Sequence, residues 1–491
     1  MRILSGLAAA ALVGSIGAAQ TPRPASDISV ARLREHLRVL ASDEYEGRAP
    51  GTRGERLTVD YITRQFKSYG LRGANPDGSF EQPVPLISWT IRASATLVTS
   101  ARTRNLEWAR DFFVLPASPP PAGEIDLRAP IVPDGDGIDA RGKFVLARSG
   151  GTRNAKISAA KERGALGVLI VFEPTPAAPT LNQSFGHSGR EIGVASSPNG
   201  LPPGERFVAA LISPEVFAEL GAGSTPGAEL SIHLTRTDRA FTSPNVVAVL
   251  PGSDPARRDE VIVYTGHWDH LGRDDRRSGD QIYNGAVDNA GGMAQLLEIA
   301  RAFSRRTPKR TVLFIATTAE EEGLIGANYY VAHPLYPLNK TVADINLDGF
   351  WPSGPLPDLV EFGAGNTTFD ELVQATSAAL HRRVIPDPMP NEHFYQRSDQ
   401  WPFALAGVPG IFPSGWPTPH PEDPNWRDAI AAYLTTDYHK VSDEYHADWD
   451  LVGAVDDAAW MLEFGWRLAQ SSAWAKWKPD APCQPCKTKG G

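Results

Sequence analysis

Histidine, aspartate and glutamate side chains stand at or just beyond the ends of short apolar runs in this sequence, and their types suit a pair of divalent cations. His267, Asp269 and His270 follow the run Glu260-Val261-Ile262-Val263-Tyr264-Thr265. Ala319-Glu320-Glu321-Glu322-Gly323 follows Thr311-Val312-Leu313-Phe314-Ile315-Ala316, and Asp348 follows Val342-Ala343-Asp344-Ile345-Asn346-Leu347. Two neighbouring cations need oxygen and nitrogen ligands and at least one carboxylate that can bridge them. His267 with a carboxylate such as Asp348 supplies one ion, Glu321 and His439 supply the second, and Asp288 lies between. Asp269, two residues past His267, is placed to accept the proton of the other ring nitrogen and fix the tautomer. Glu320 cannot share the direction of its neighbour Glu321, which leaves it free as a general base on water. Tyr395 is a candidate donor to an oxyanion at an attacked carbonyl. The glutamate triplet also permits Glu321 and Glu322 as base and ligand. Acids gathered this way repel one another unless cations sit among them.

Elements must carry these groups to one place. The apolar runs are short and continuous, as in buried strands, and they alternate with helical spacing in Gly292 to Phe303, Thr368 to His381 and Asp456 to Ala469. Further β-like runs occur at Asp358 to Phe362 and Val408 to Phe412. This rhythm predicts an α/β fold, a mixed sheet flanked by helices, with functional residues at strand ends. Two amphipathic helices are predicted within Ile28 to Leu71, joined by the loop Glu46-Gly47-Arg48-Ala49-Pro50-Gly51-Thr52. From about Phe80 to Phe241 the chain is rich in Pro and Gly with short β-prone runs, and reads as a separate β-rich module.

The chain has 491 residues, more than one hydrophobic core usually organises. Its 42% hydrophobic and 21% charged content is ordinary for a globular protein, and a net charge of -9 argues against a nucleic-acid partner. Met1-Arg2-Ile3, the apolar stretch Leu4 to Ile16 and Gly17-Ala18-Ala19 read as a signal peptide, residues 1–19, too short to remain as a membrane anchor. No cysteine follows it to carry a lipid. Secretion or export to the periplasm is expected, with no membrane attachment after cleavage. Cys483 and Cys486 lie in a Pro-, Lys- and Gly-rich tail, residues 476–491, where they read as inert or as a local disulfide formed after export. His270, His333, His393, His420 and His446 lack a ligand setting and read as surface or loop residues. Trp268, Trp401 and Trp416 are candidates for the core or the pocket wall.

Motif by motif, the chain resembles the zinc aminopeptidases of peptidase family M28, a group that also contains glutamate carboxypeptidases. Gly266-His267-Trp268-Asp269 resembles the first ligand with its orienting aspartate, and Gly285-Ala286-Val287-Asp288-Asn289-Ala290-Gly291 the bridging segment. Ala319-Glu320-Glu321-Glu322-Gly323-Leu324 resembles the base-and-ligand pair, which favours Glu320 as base and Glu321 as ligand. Asn346-Leu347-Asp348 and Tyr438-His439-Lys440-Val441-Ser442-Asp443 resemble the remaining ligand segments. Tyr395 with Arg397-Ser398-Asp399-Gln400 is similar to the stretch bearing the family's oxyanion tyrosine, and Ser42 to Thr52 to its opening segment. Arg141 to Leu146 and Lys156 to Val171 resemble a protease-associated domain.

The resemblance implies a discontinuous zinc peptidase domain, residues 20–80 and 245–475, interrupted by a protease-associated insertion, residues 81–244. It implies two zinc ions per chain and a peptide substrate, with an aminopeptidase as the leading activity. A carboxypeptidase or dipeptidase of the same family is the alternative, with Arg397 gripping a substrate carboxylate. An inactive receptor-like binding protein is the alternative of another class, and the retained ligands and base argue against it. Glutaminyl cyclases share the fold but lack the first histidine, so His267 argues against cyclisation.

Overall fold

The computed structural model describes residues 27–481 apart from 116–121, 148–149, 151, 175–179, 182–190, 195–205, 222–226, 276, 353 and 417–431. The segment 1–19, His420, Cys483 and Cys486 lie outside the described residues.

The apolar runs form the strands Val261–His267, Thr311–Thr317 and Thr341–Asn346, buried along their whole length. They pair in parallel with Val261–His267 in the middle, and Gly410–Ile411 adds to the far side of Thr341–Asn346. Burial on both faces is what a parallel sheet requires, and it explains why these runs are continuous rather than alternating. Alternate residues still divide between two cores. Ile262, Tyr264, Val312 and Phe314 pack against the helices Val30–Leu40, Arg53–Ser68, Gly292–Ser304 and Val452–Gln470. Val263, Leu313 and Ile315 face Ala327, Tyr330 and Phe403 of the helices Ile325–Ala332 and Gln400–Leu405. The result is a mixed α/β sheet flanked by helices, as the strand-helix rhythm predicts.

The opening segment is held by local chemistry. Thr52 caps Arg53–Ser68 by accepting the Glu55 amide, while the Glu55 carboxylate accepts from the Gly51 amide at 2.6 Å. The predicted loop before it is wound into tight turns from Asp43 to Arg48.

Two long strands, Glu81–Val98 and Glu229–Leu250, run antiparallel from Glu81 opposite Val246 to Val98 opposite Glu229. From Val246 onward the second of them pairs with Thr311–Thr317, so one ladder joins the parallel strands to a β-rich region. That region includes Gly123–Pro133, Phe144–Ala147, Gly167–Val171 and Val208–Ile212, and has apolar cores of its own around Phe144, Leu169 and Val208 and around Val145, Val168 and Phe207. Where the ribbon meets the larger sheet, Asn245 Nδ2 donates to Gln82 Oε1 at 3.0 Å and Asn245 Oδ1 accepts from the Thr318 amide at 3.0 Å.

Candidate active site

Three adjacent parallel strands deliver their C-terminal ends to one place, the usual position of a site in such a sheet. His267 ends the first, Glu320 and Glu321 follow Thr317, and Asp348 follows Asn346 by two residues. Asp288 comes from the irregular turn Ala286–Gly291, which leads into the helix Gly292–Ser304; its peptide bond to Asn289 is cis. The turn opens on Gly285 at φ 54, where a Cβ would lie 2.2 Å from the Asp288 carbonyl oxygen and 2.5 Å from the His270 ring. Only glycine fits there. Ala319 and His439 hold left-handed backbone at φ 51 and 57, the strain often found where side chains are aimed at a site.

The five predicted ligand residues converge. His267 Nε2 lies 3.3 Å from Asp288 Oδ1 and 3.3 Å from Asp348 Oδ1. His439 Nε2 lies 3.1 Å from Asp288 Oδ2 and 3.0 Å from Glu321 Oε2. Asp288 therefore turns one oxygen to each histidine. Glu320 Oε2 stands 3.9 Å from His267 Nε2. Glu320 and Glu321 both line the central cavity, and Glu322 is not part of its wall.

This cluster is strained electrostatically. Burial, together with the Asp348 and Glu321 carboxylates, lifts Glu320 well above the usual glutamate range. Burial also opposes ionisation of Glu321, but His439 and His270 outweigh it and hold that carboxyl at about 2. Burial would lower His267, yet Glu320, Asp288 and Asp348 raise it well above an ordinary imidazole. Two imidazoles and three carboxylates, one with an oxygen turned to each imidazole, are a donor set that two zinc ions fit in number and type.

The surrounding residues include groups whose role the sequence did not reveal. His270, read from sequence as a surface residue, is instead fully buried, with Nδ1 2.6 Å from Glu321 Oε1. Asp269 differs in detail from expectation. The nearer acceptor for His267 Nδ1 is its backbone carbonyl at 3.2 Å, while its carboxylate accepts from the Glu320 and Glu321 amides at 3.2 and 3.4 Å. Asp443 accepts from the Val287 and Asp288 amides at 2.9 and 3.1 Å, fixing the turn that carries Asp288. Arg48, 1% exposed, donates to the carbonyls of Leu40, Trp268, Asn284 and Gly285 at 2.5–2.9 Å, tying the opening segment to both the His267 and Asp288 loops.

Tyr395 does not reach the cavity. It is 4% exposed, packs on Trp401, and its hydroxyl donates to the Gly410 carbonyl at 3.1 Å. The tyrosine beside the ligands is Tyr438, whose ring stacks on His439 with centroids 3.8 Å apart and whose hydroxyl accepts from Arg397 Nη2 at 3.2 Å. Both Tyr438 and Arg397 line the cavity, as does Trp416. Trp268 is core, its indole N–H donating to the Pro244 carbonyl at 3.0 Å. His333, His393 and His446 are exposed as expected.

Residues 245–462, which carry all of the converging ligands, match Peptidase family M28. The chain is 26% identical over 317 residues to probable leucine aminopeptidase 2 of Aspergillus oryzae, covering 62% of this chain and 58% of that one. It is 26% identical over 349 residues to a probable glutamate carboxypeptidase of Arthroderma benhamiae, covering 57% of this chain and 44% of that one. The match thus spans about half the length of these relatives. In fold it is similar to an aminopeptidase from Aneurinibacillus sp. strain AM-1, with a TM-score of 0.60 at 20% identity, covering 92% of this chain and 97% of that one. A zinc aminopeptidase from Bacillus subtilis gives a TM-score of 0.56 at 19% identity, covering 92% and 97%. The segment that holds the converging histidines and carboxylates is thus the part of the chain that matches peptidase family M28.

Proposed function

We propose that the protein is an exported exopeptidase with two zinc ions, an aminopeptidase that releases N-terminal residues from peptides. The observation that carries this reading is the orientation of Asp288, with Oδ1 toward His267 and Oδ2 toward His439 at 3.3 and 3.1 Å. His267 and Asp348 would hold one ion, Glu321 and His439 the other, and Asp288 both. When bound, the pair would supply Lewis acidity to a water and to the scissile carbonyl and would neutralise the crowded carboxylates. Glu320, beside this cluster on the cavity wall, takes the proton from the attacking water and returns it to the leaving amine. Asp269 and His270 orient the Glu320-Glu321 loop through the hydrogen bonds described above. Tyr438, rather than Tyr395, donates to the oxygen that gains charge, because Arg397 occupies its lone pair and leaves its proton for the substrate.

The cavity also favours a second reading. Arg397 on its wall is a cation suited to a substrate carboxylate, as a carboxypeptidase or dipeptidase would need. The relatives described above include a probable leucine aminopeptidase and a probable glutamate carboxypeptidase. The β-rich region 81–244 is proposed to be a protease-associated insertion, and residues 1–19 to direct export. No helix among the described residues is long and apolar enough to cross a membrane.

The test is a panel of free-amine, N-blocked and C-terminal-glutamate peptides, each with zinc and with chelator. Zinc-dependent cleavage confined to free-amine peptides is the expected result. Cleavage of N-blocked peptides would replace the aminopeptidase with the carboxypeptidase, and cleavage insensitive to chelator would overturn the two-zinc reading.

A further inference from the structure

The loop that carries Glu320 and Glu321 leaves the strand Thr311–Thr317 and enters the helix Ile325–Ala332. Its two ends meet at a narrow neck. There the Gly326 amide donates to the Thr318 carbonyl at 2.9 Å, and the Ile325 amide to the Ala319 carbonyl at 3.0 Å. The neck is buried, so the Thr318 N–H and the Gly326 C=O need partners of their own. One side chain supplies both. Asn245 Oδ1 accepts from the Thr318 amide at 3.0 Å, and Asn245 Nδ2 donates to the Gly326 carbonyl at 2.9 Å. Asn245 is fully buried, and Nδ2 also donates to Gln82 Oε1 at 3.0 Å, which holds the amide in one orientation. A primary amide offers an acceptor and a donor from one short planar group, which neither a carboxylate nor a hydroxyl-free chain can do. Gly326 makes the approach possible, because a Cβ there would lie 2.4 Å from Asn245 Oδ1 and 2.4 Å from the Thr318 carbonyl oxygen.

We infer that Asn245 is a positioning residue for the reaction: by closing this neck it aims Glu320 and Glu321 together. The inference rests on the roles proposed above for those two glutamates and adds a distant residue that acts through them. Ala319 and Leu324, on either side of the glutamates, hold left-handed backbone at φ 51 and 60, which L side chains adopt only under constraint. With the neck opened these residues relax, and the carboxylates between them turn away from the site. The Asp269 carboxylate, on the Glu320 and Glu321 amides, supports the tip of the same loop. Neck and tip are thus fixed from two different elements, and a displacement of about 1 Å at either costs up to about a hundredfold in rate.

The residues before Asn245 reinforce the grip. Ser243 Oγ lies 2.5 Å from Thr318 Oγ1, and the Pro244 carbonyl accepts from the indole N–H of Trp268, the neighbour of His267, at 3.0 Å. All three belong to the strand Glu229–Leu250, through which the chain returns from the β-rich region. That return path therefore holds the loop of the first candidate ligand as well as the loop of the base.

The experiment compares the parent with Asn245→Ala, Asn245→Asp and the milder Ser243→Ala. Leucyl p-nitroanilide turnover is measured at saturating zinc, at a temperature where unfolding curves show every variant folded. Asn245→Ala should lower kcat about tenfold or more with KM within about twofold, and Ser243→Ala should lower it about threefold. Zinc affinity against a competing chelator should fall about tenfold in Asn245→Ala, because Glu321 rides on the same loop. Asn245→Asp accepts from the Thr318 amide in either state but donates to the Gly326 carbonyl only when protonated. Its kcat relative to the parent should therefore fall about tenfold as pH rises from about 6 to about 9. A lower Tm with kcat per folded chain within twofold of the parent would make Asn245 purely structural and overturn the inference. Should Asn245→Ala not fold, the aspartate variant decides, and a ratio flat with pH overturns it. If the parent turns over no free-amine substrate, the aminopeptidase reading falls and the zinc titration decides: a tenfold loss in Asn245→Ala keeps the clamp, and unchanged affinity overturns it.

Discussion

Replacing Arg48 by methionine should damage both the fold and the metal site, although this side chain is not among the five proposed ligands. Its guanidinium donates to the carbonyls of Leu40, Trp268, Asn284 and Gly285, and at 1% exposure no water can take its place. Burial lowers its pKa to about 10, against the pull of Asp288, Asp443, Asp269 and Glu321, so it stays charged at neutral pH. At roughly 1 kcal/mol for each orphaned carbonyl, four lost bonds come to about 4 kcal/mol. Removing the cost of a buried charge offsets part of that, leaving about 3 kcal/mol. For a chain of this size that corresponds to a Tm lower by roughly 3 °C. The Trp268 and Gly285 carbonyls belong to the loops bearing His267 and Asp288, so bound zinc should fall as well. The assay is thermal unfolding with and without zinc, together with zinc content after dialysis. Arg48→Lys, which keeps the charge but reaches fewer carbonyls, should fall between. A Tm within about 1 °C of the parent with full zinc content would refute the idea that this residue fastens the two loops.

Glu320→Gln should retain bound zinc while turnover drops by about a thousandfold or more; retained turnover would remove Glu320 as the base. His270→Ala should weaken zinc binding by roughly 10- to 100-fold, measured against a competing chelator, because Glu321 loses the imidazole 2.6 Å from its oxygen. Glu361→Gln tests burial away from the ligands. Burial, only partly offset by the Gly363 and Phe412 amides, raises this carboxyl to about 8 from an ordinary value of 4.5. The folded state therefore holds a proton that the unfolded chain releases, and stability is lost as pH climbs from 4.5 to about 8, by an amount on the order of 5 kcal/mol. The glutamine variant should lack this decline and be the more stable protein at pH 9 in urea titrations; parallel pH profiles would reject the argument.

The parallel strands were legible because their burial on both faces forces continuous apolar runs, which no solvent-facing strand would show. Candidate ligands were legible because polar groups at the ends of such runs have little structural reason to be there. The supporting groups were harder to read for a physical reason. His270 stands in a turn where local spacing does not determine whether a ring points inward, and only the opposing Glu321 settles it. Arg48 acts across more than two hundred residues on backbone carbonyls, which leave no trace in side-chain pattern. Tyr395 carries only a short local likeness in sequence, and its hydroxyl turns to the Gly410 carbonyl instead of the cavity. Tyr438 carried a usable signal, since a phenol adjacent to a ligand histidine shares its approach to the cavity.

The ladder that begins at Glu81 opposite Val246 has a practical corollary for protein engineering. Because the chain departs and returns at facing positions about 5 Å apart, everything between could be excised and the cut closed with a two-residue hairpin turn. Gln82 and Asn245 would have to stay, since their amides are bonded to each other and Asn245 also holds the Thr318 amide two residues before Glu320. The same doorway makes this scaffold a host into which an unrelated sensor or binding module could be spliced.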